Sequence, residues 1–169
     1  MAILRGRRDQ GTARRFQMRE KLMSIGDDFW IDDEQGERAY KVDGKVMRVR
    51  NTLVLEDVAG REVAKIQERK LSVRDKVVIE RDGREVATVH KALVGIRDRF
   101  TISIVGGPDL KAQGNIVDHE YEIERDGALV ARISKRWFRV RDTYGVEVVD
   151  GEDEALVLAT VAALESMTS

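Results

Sequence analysis

Apolar and charged residues alternate along most of this chain, in short runs separated by Asp-Gly, Ala-Gly or Gly-Gly pairs. A period of two predicts half-buried strands joined by tight turns. Two stretches, Ile79-Glu80-Arg81-Asp82-Gly83-Arg84-Glu85-Val86-Ala87 and Ile123-Glu124-Arg125-Asp126-Gly127-Ala128-Leu129-Val130-Ala131, agree almost residue for residue. Leu55-Glu56-Asp57-Val58-Ala59-Gly60-Arg61-Glu62-Val63-Ala64 is a looser copy. Asp-Gly supplies the positive φ angles that a two-residue hairpin turn demands. A second motif of apolar, Arg, Asp or Asn, polar marks corners at Val49-Arg50-Asn51-Thr52, Val73-Arg74-Asp75-Lys76, Ile96-Arg97-Asp98-Arg99 and Val140-Arg141-Asp142-Thr143. The unit returns roughly every 20 to 24 residues, the spacing of a repeat architecture. The single proline, Pro108, sits beside Gly106 and Gly107 in a turn and breaks no strand.

Two strands per unit from Phe29 to Val149 predict about ten to twelve antiparallel strands, and a closed barrel is the way to hide so many edges. The pattern changes only at the C-terminus. There Glu152, Asp153 and Glu154 lead into Ala155-Leu156-Val157-Leu158-Ala159-Thr160-Val161-Ala162-Ala163-Leu164, a segment apolar on nearly every side. A helix near 152–167 with no face for water belongs inside a core. A barrel of this size is too wide for its strand side chains to fill, and a helix of about 10 to 12 Å diameter suits the space. The fold expected is therefore mainly β, a closed antiparallel barrel around a buried hydrophobic C-terminal helix. Its plug is made last, so truncation before Ala155 should leave an open, sticky barrel.

Length and composition narrow this picture. At 169 residues one domain is expected, as residues 16–169, preceded by a basic arm at 1–15 that holds Arg5, Arg7, Arg8, Arg14 and Arg15 against Asp9. The balance of 30 basic and 31 acidic side chains gives no global field toward nucleic acid, so an anionic partner must be met by a local patch. Cysteine is absent, which removes disulfides and thiolate chemistry and suits a reducing cytosol. No secretory signal pattern opens the chain, and the C-terminal apolar run falls well short of the roughly 20 residues that span a bilayer. A cytoplasmic protein is expected, touching the inner membrane face peripherally at most.

Several blocks resemble a known family. Lys21-Leu22-Met23-Ser24-Ile25-Gly26-Asp27-Asp28-Phe29-Trp30-Ile31 and Ala39-Tyr40-Lys41-Val42-Asp43-Gly44-Lys45 look like the opening of LURP-one-related proteins. Gly114-Asn115-Ile116-Val117-Asp118-His119-Glu120-Tyr121-Glu122-Ile123 and Ser134-Lys135-Arg136-Trp137-Phe138 look like later blocks of the same family. That family is similar in fold to the Tubby C-terminal domain and to phospholipid scramblases, which implies a twelve-stranded antiparallel barrel around a central helix. Tubby domains bind phosphoinositides through basic surface residues, and scramblases are associated with lipid movement between leaflets. The chain departs from a scramblase in having no cysteine-rich palmitoylation segment and no proline-rich N-terminal region. Fold alone does not choose among these functions.

The local candidate for chemistry is Lys135-Arg136-Trp137-Phe138-Arg139-Val140-Arg141. As a strand it would show Lys135, Trp137, Arg139 and Arg141 on one face, a cationic row suited to lipid phosphates with an indole for the interface. Arg136 adds charge, and Arg48 and Arg50 repeat the pattern in an earlier unit. The structural reading of the same residues is a solvated face with Trp137 stacked under neighbouring arginines. The corner arginines Arg50, Arg74, Arg97 and Arg141 could ring one rim and attract phosphate; the alternative, preferred here, is that each pairs with a nearby carboxylate such as Asp75, Asp98 or Asp142.

His90 and His119 match no metal spacing, and Asp118-His119-Glu120 reads as a turn at a strand start. Asp27-Asp28 and Asp32-Asp33-Glu34 lack the glycine and glutamate of a calcium loop. No phosphate loop or nucleophile elbow occurs. The expectation is a non-enzymatic binding or scaffold protein without cofactor or metal. Its ligand would be an acidic phospholipid or phosphoinositide head group, with a protein partner as the alternative and scrambling third.

Overall fold

The alternation closes into a barrel. The computed structural model describes residues 13–20, 28–43, 52–71, 74–91, 99–138 and 140–168, and these hold twelve strands and one helix. The strands are β1 (Arg14–Arg19), β2 (Phe29–Asp33), β3 (Arg38–Asp43), β4 (Thr52–Asp57), β5 (Glu62–Leu71) and β6 (Arg74–Arg81), continuing with β7 (Arg84–Lys91), β8 (Arg99–Ile104), β9 (Leu110–Asn115), β10 (Glu120–Arg125), β11 (Ala128–Ser134) and β12 (Thr143–Val148). Helix α1 spans Glu154–Thr168. Each strand lies antiparallel to its sequence neighbours, and β1 closes the ring against β12 from Arg14↔Val148 to Arg19↔Thr143. Every described strand thus has a neighbour on both sides.

The matched repeats fold alike because their turns are alike. Asp82 and Gly83 take φ of 50° and 73°, and Asp126 and Gly127 take 49° and 78°, so both central residues of each hairpin are left-handed. The looser copy solves its turn with a side chain: Asp57 Oδ1 accepts the amides of Ala59 and Arg61 at 2.9 and 3.0 Å. Those bonds, with the Arg61 guanidinium, hold the Asp57 carboxyl below its ordinary range.

The helix fills the barrel. Val157 through Leu164 are all buried, and they meet inward-facing side chains such as Phe16, Ile31, Leu53, Ile79, Ile102 and Ile123 in one continuous core. The acidic leader stays at the mouth. Asp153 caps α1 by accepting the Leu156 amide at 3.1 Å, and Arg14 of β1 and Arg125 of β10 take Glu154 and Glu152, each at 2.8 Å. Tyr40 of β3 donates to Glu154 at 3.3 Å, and burial together with that carboxylate pushes its phenol up to about 12. Glu152 and Asp153, expected inside the helix, instead precede it. Arg14 and Arg15, expected in the basic arm, belong to β1, where Arg15 pairs with Glu147 at 2.8 Å.

Candidate functional site

The described residues of 135–141 are not in a strand. β11 ends at Ser134 and β12 begins at Thr143, and the described residues between them turn back across the outside of the barrel. Lys135, Trp137 and Arg141, expected in a row on one strand face, therefore do not form it. The bends have visible causes: Glu120 Oε1 accepts both the Ser134 hydroxyl and the Lys135 amide, the Arg136 amide donates to Ser134 Oγ, and Thr143 Oγ1 donates to the Val140 carbonyl. Lys135 is paired with Glu20 at 2.5 Å, which raises its pKa, and Arg136 lies 3.9 Å from Glu120. Trp137 and Phe138 lie over Gly145 of β12, where an added Cβ would come within 2.7 Å of the Trp137 ring. Arg15 covers that ring at 4.8 Å, so the stacked reading of Trp137 is the one observed. Arg48, Arg50 and Arg139 lie outside the described residues, as do the corner residues Arg50 and Arg97.

Arg141 behaves differently. The pairing expected with Asp142 is absent, and Arg141 has no carboxylate partner among the described residues. It lines an outer furrow of about 320 Å³ with Gln17, Met18, Arg19, Trp30, Asp32, Val140 and Thr143. The furrow follows from strand geometry. β1 is fully paired with β12, but its register with β2 covers only Phe16↔Asp33 and Gln17↔Asp32. Phe16, Met18, Phe29 and Ile31 are buried, so alternation turns Gln17, Arg19, Trp30 and Asp32 outward on either side of the gap. Arg19 is exposed and, like Arg141, has no carboxylate partner among the described residues. Val140 stands at the lip, 57% exposed.

Arg19 and Trp30 are not among the site residues expected from the sequence, and Asp32 figures there only in an acidic run without calcium-loop spacing. The run Arg15, Gln17, Arg19, alternating with Phe16 and Met18, held the signal for the first of them. A larger hollow, about 460 Å³, lies over β8 to β11, but its carboxylates are already engaged: Glu122 takes Arg132 at 3.1 Å, and Glu120 holds the turn described above. The turn role expected of Asp118 is observed, through the bond it accepts from Asn115, and Asp33 Oδ1 likewise holds a turn by accepting the Gln35 and Glu37 amides.

His119 has a turn backbone, with φ of 54°, but its ring points inward. Nε2 meets Glu165 of α1 at 2.5 Å, and the ring stacks on Tyr144 at 4.2 Å between centroids. The pair ties the far end of the plug to the barrel. Burial, then Glu165, pushes the phenols of Tyr121 and Tyr144 far above their ordinary range. Among the described residues no cluster of three or more His, Asp or Glu is placed to hold a metal ion. No described helix is long and apolar enough to cross a membrane.

The comparisons bear on fold and family. A protein from Arabidopsis thaliana, solved by X-ray crystallography, superposes with a TM-score of 0.66 over 92% of each chain at 19% identity, a likeness of fold. No curated protein matches in sequence. The LURP-one-related family model matches residues 14–165, from the first strand to the buried Glu165, and on that match the chain belongs to the LURP-one-related family.

Proposed function

We propose that this chain is a non-enzymatic binding module that recognises an acidic phospholipid at a membrane surface, with the outer furrow between β1, β2 and residues 140–143 as its site. The observation that carries the reading is the presence of two arginines, Arg19 and Arg141, in one furrow without a carboxylate partner among the described residues. Arginine presents a planar fork suited to phosphate oxygens. Val140 supplies an apolar contact at the lip, where a head group gives way to acyl chain. Lys135 and Arg136 contribute less, since each already has a carboxylate near it. Attraction to an anionic leaflet of about 1 kcal/mol per basic residue is enough for reversible, peripheral contact.

Co-sedimentation of the full chain with neutral, phosphatidylserine-rich and phosphoinositide-containing vesicles, at low and physiological salt, tests the reading. Binding that needs anionic lipid and weakens with salt supports it. Absence of binding to every vesicle sinks it and leaves protein interaction as the better account.

A further inference from the structure

We infer that the furrow selects a phosphoserine head group, as borne by phosphatidylserine, over head groups that carry only negative charge; the inference rests on the lipid-binding reading of the same site. Three charged side chains line the furrow without an ion-pair partner among the described residues: Arg19, Arg141 and Asp32. The presence of Asp32 is the informative part. Its cross-strand neighbour is Arg38, the natural partner, yet the Arg38 guanidinium lies over the Trp30 ring at 4.6 Å. On the other side Gln17, opposite Asp32 in register, donates its amide to Thr143 Oγ1 at 3.2 Å. Asp32 thus forms no ion pair among the described residues, in a furrow that also holds two arginines that form none.

Such an arrangement discriminates by sign as well as by attraction. A head group bearing only phosphate gains from the arginines and is repelled by Asp32, and a polyphosphorylated inositol is repelled more. Phosphoserine carries two anionic groups, phosphate and carboxylate, and one ammonium. That is the complement of two arginines and one aspartate. The ammonium is the group that turns Asp32 from a cost into a contact, through a charge-assisted hydrogen bond. The exposed Val140 at the lip favours the lipid-borne head group over the free amino acid.

The test compares the full chain on phosphatidylcholine vesicles doped with equal fractions of phosphatidylserine or phosphatidylglycerol, which have the same net charge. Tighter binding to phosphatidylserine by roughly fivefold is expected. Asp32→Asn should abolish the preference, weakening phosphatidylserine by loss of the ammonium contact and strengthening phosphatidylglycerol by loss of the repulsion, and Asp32→Glu should keep the preference. Thermal melting of both variants shows whether they are folded. Equal binding to the two lipids, unchanged by Asp32→Asn, overturns the phosphoserine assignment and leaves acidic-lipid binding standing. Binding of soluble O-phosphoserine without vesicle binding overturns the lipid source. No binding to either vesicle removes the underlying lipid reading itself.

Discussion

Arg81 of β6 and Asp153 meet through two parallel hydrogen bonds, from Nη1 and Nη2 to the two carboxylate oxygens, at 2.5 and 2.7 Å. The same carboxylate caps α1 through the Leu156 amide. One side chain therefore does two jobs, starting the helix and fastening it to the barrel wall. The Arg81 bond, ahead of the cap, holds the Asp153 carboxyl below its ordinary value of 3.8. A depressed folded pKa contributes stability that is fully present above the unfolded value and is lost as pH falls through the folded one. Stability should therefore decline below pH 3.8, and Asp153→Asn should flatten part of that decline. At neutral pH Asp153→Ala should cost about 1–2 kcal/mol, mostly from the cap, because the Asp153 carboxylate is about half exposed and solvent screens the ion pair. Denaturant unfolding at a series of pH values reads both effects; an unchanged acid limb in Asp153→Asn would remove this carboxylate from the account.

Gly145 is the reason Trp137 and Phe138 can lie flat on β12. Its missing side chain leaves room for Trp137 and Phe138, whose rings would stand 2.7 and 3.0 Å from a Cβ at that position. Gly145→Ala should lift Trp137 away from β12 and out from beneath Arg15, with a red shift and stronger quenching of its fluorescence, read in a Trp30→Phe background. The barrel itself should survive, at a cost of about 1–3 kcal/mol for the overpacking. An unaltered emission spectrum would show that the turn does not rest on this glycine.

His119 and Glu165 are both buried, so breaking their contact is expensive. His119→Leu should destabilise the protein by about 3–5 kcal/mol, as for other buried pairs that lose one partner. The double variant His119→Leu/Glu165→Leu should recover part of that loss, because it no longer leaves a carboxylate in the core beside an apolar residue. Equilibrium unfolding of the two single variants and the double closes the cycle. Strict additivity would mean that the two groups do not interact.

The barrel and its plug were legible because they rest on period and composition. Ile79 to Ala87 and Ile123 to Ala131 announce their hairpins through Asp-Gly, and Val157 to Leu164 can only be a core helix. The site was legible only in part. Alternation through Trp137 to Arg141 looks like a strand, but the Lys135 amide donates to Glu120 of β10 and the Arg136 amide to Ser134 at the end of β11, which bends the chain before it can continue. Gly145 gives no hint in sequence that it is a seat for Trp137. The furrow depends on how far β1 and β2 remain paired, a register fact that no local pattern contains. Arg141 was singled out for a row and serves instead in a furrow, beside an Arg19 whose strand lies more than a hundred residues earlier in the chain.

The claim that most needs measurement is the location of the charge that meets lipid. Vesicle co-sedimentation should compare Arg19→Glu/Arg141→Glu with Lys135→Glu/Arg136→Glu, two double reversals of equal charge on neighbouring surfaces. The furrow variant should lose binding about tenfold or more, whereas the turn variant, whose cations already have carboxylates near them, should lose far less. The opposite order, with the furrow variant binding normally and the turn variant failing, would contradict the furrow as the site.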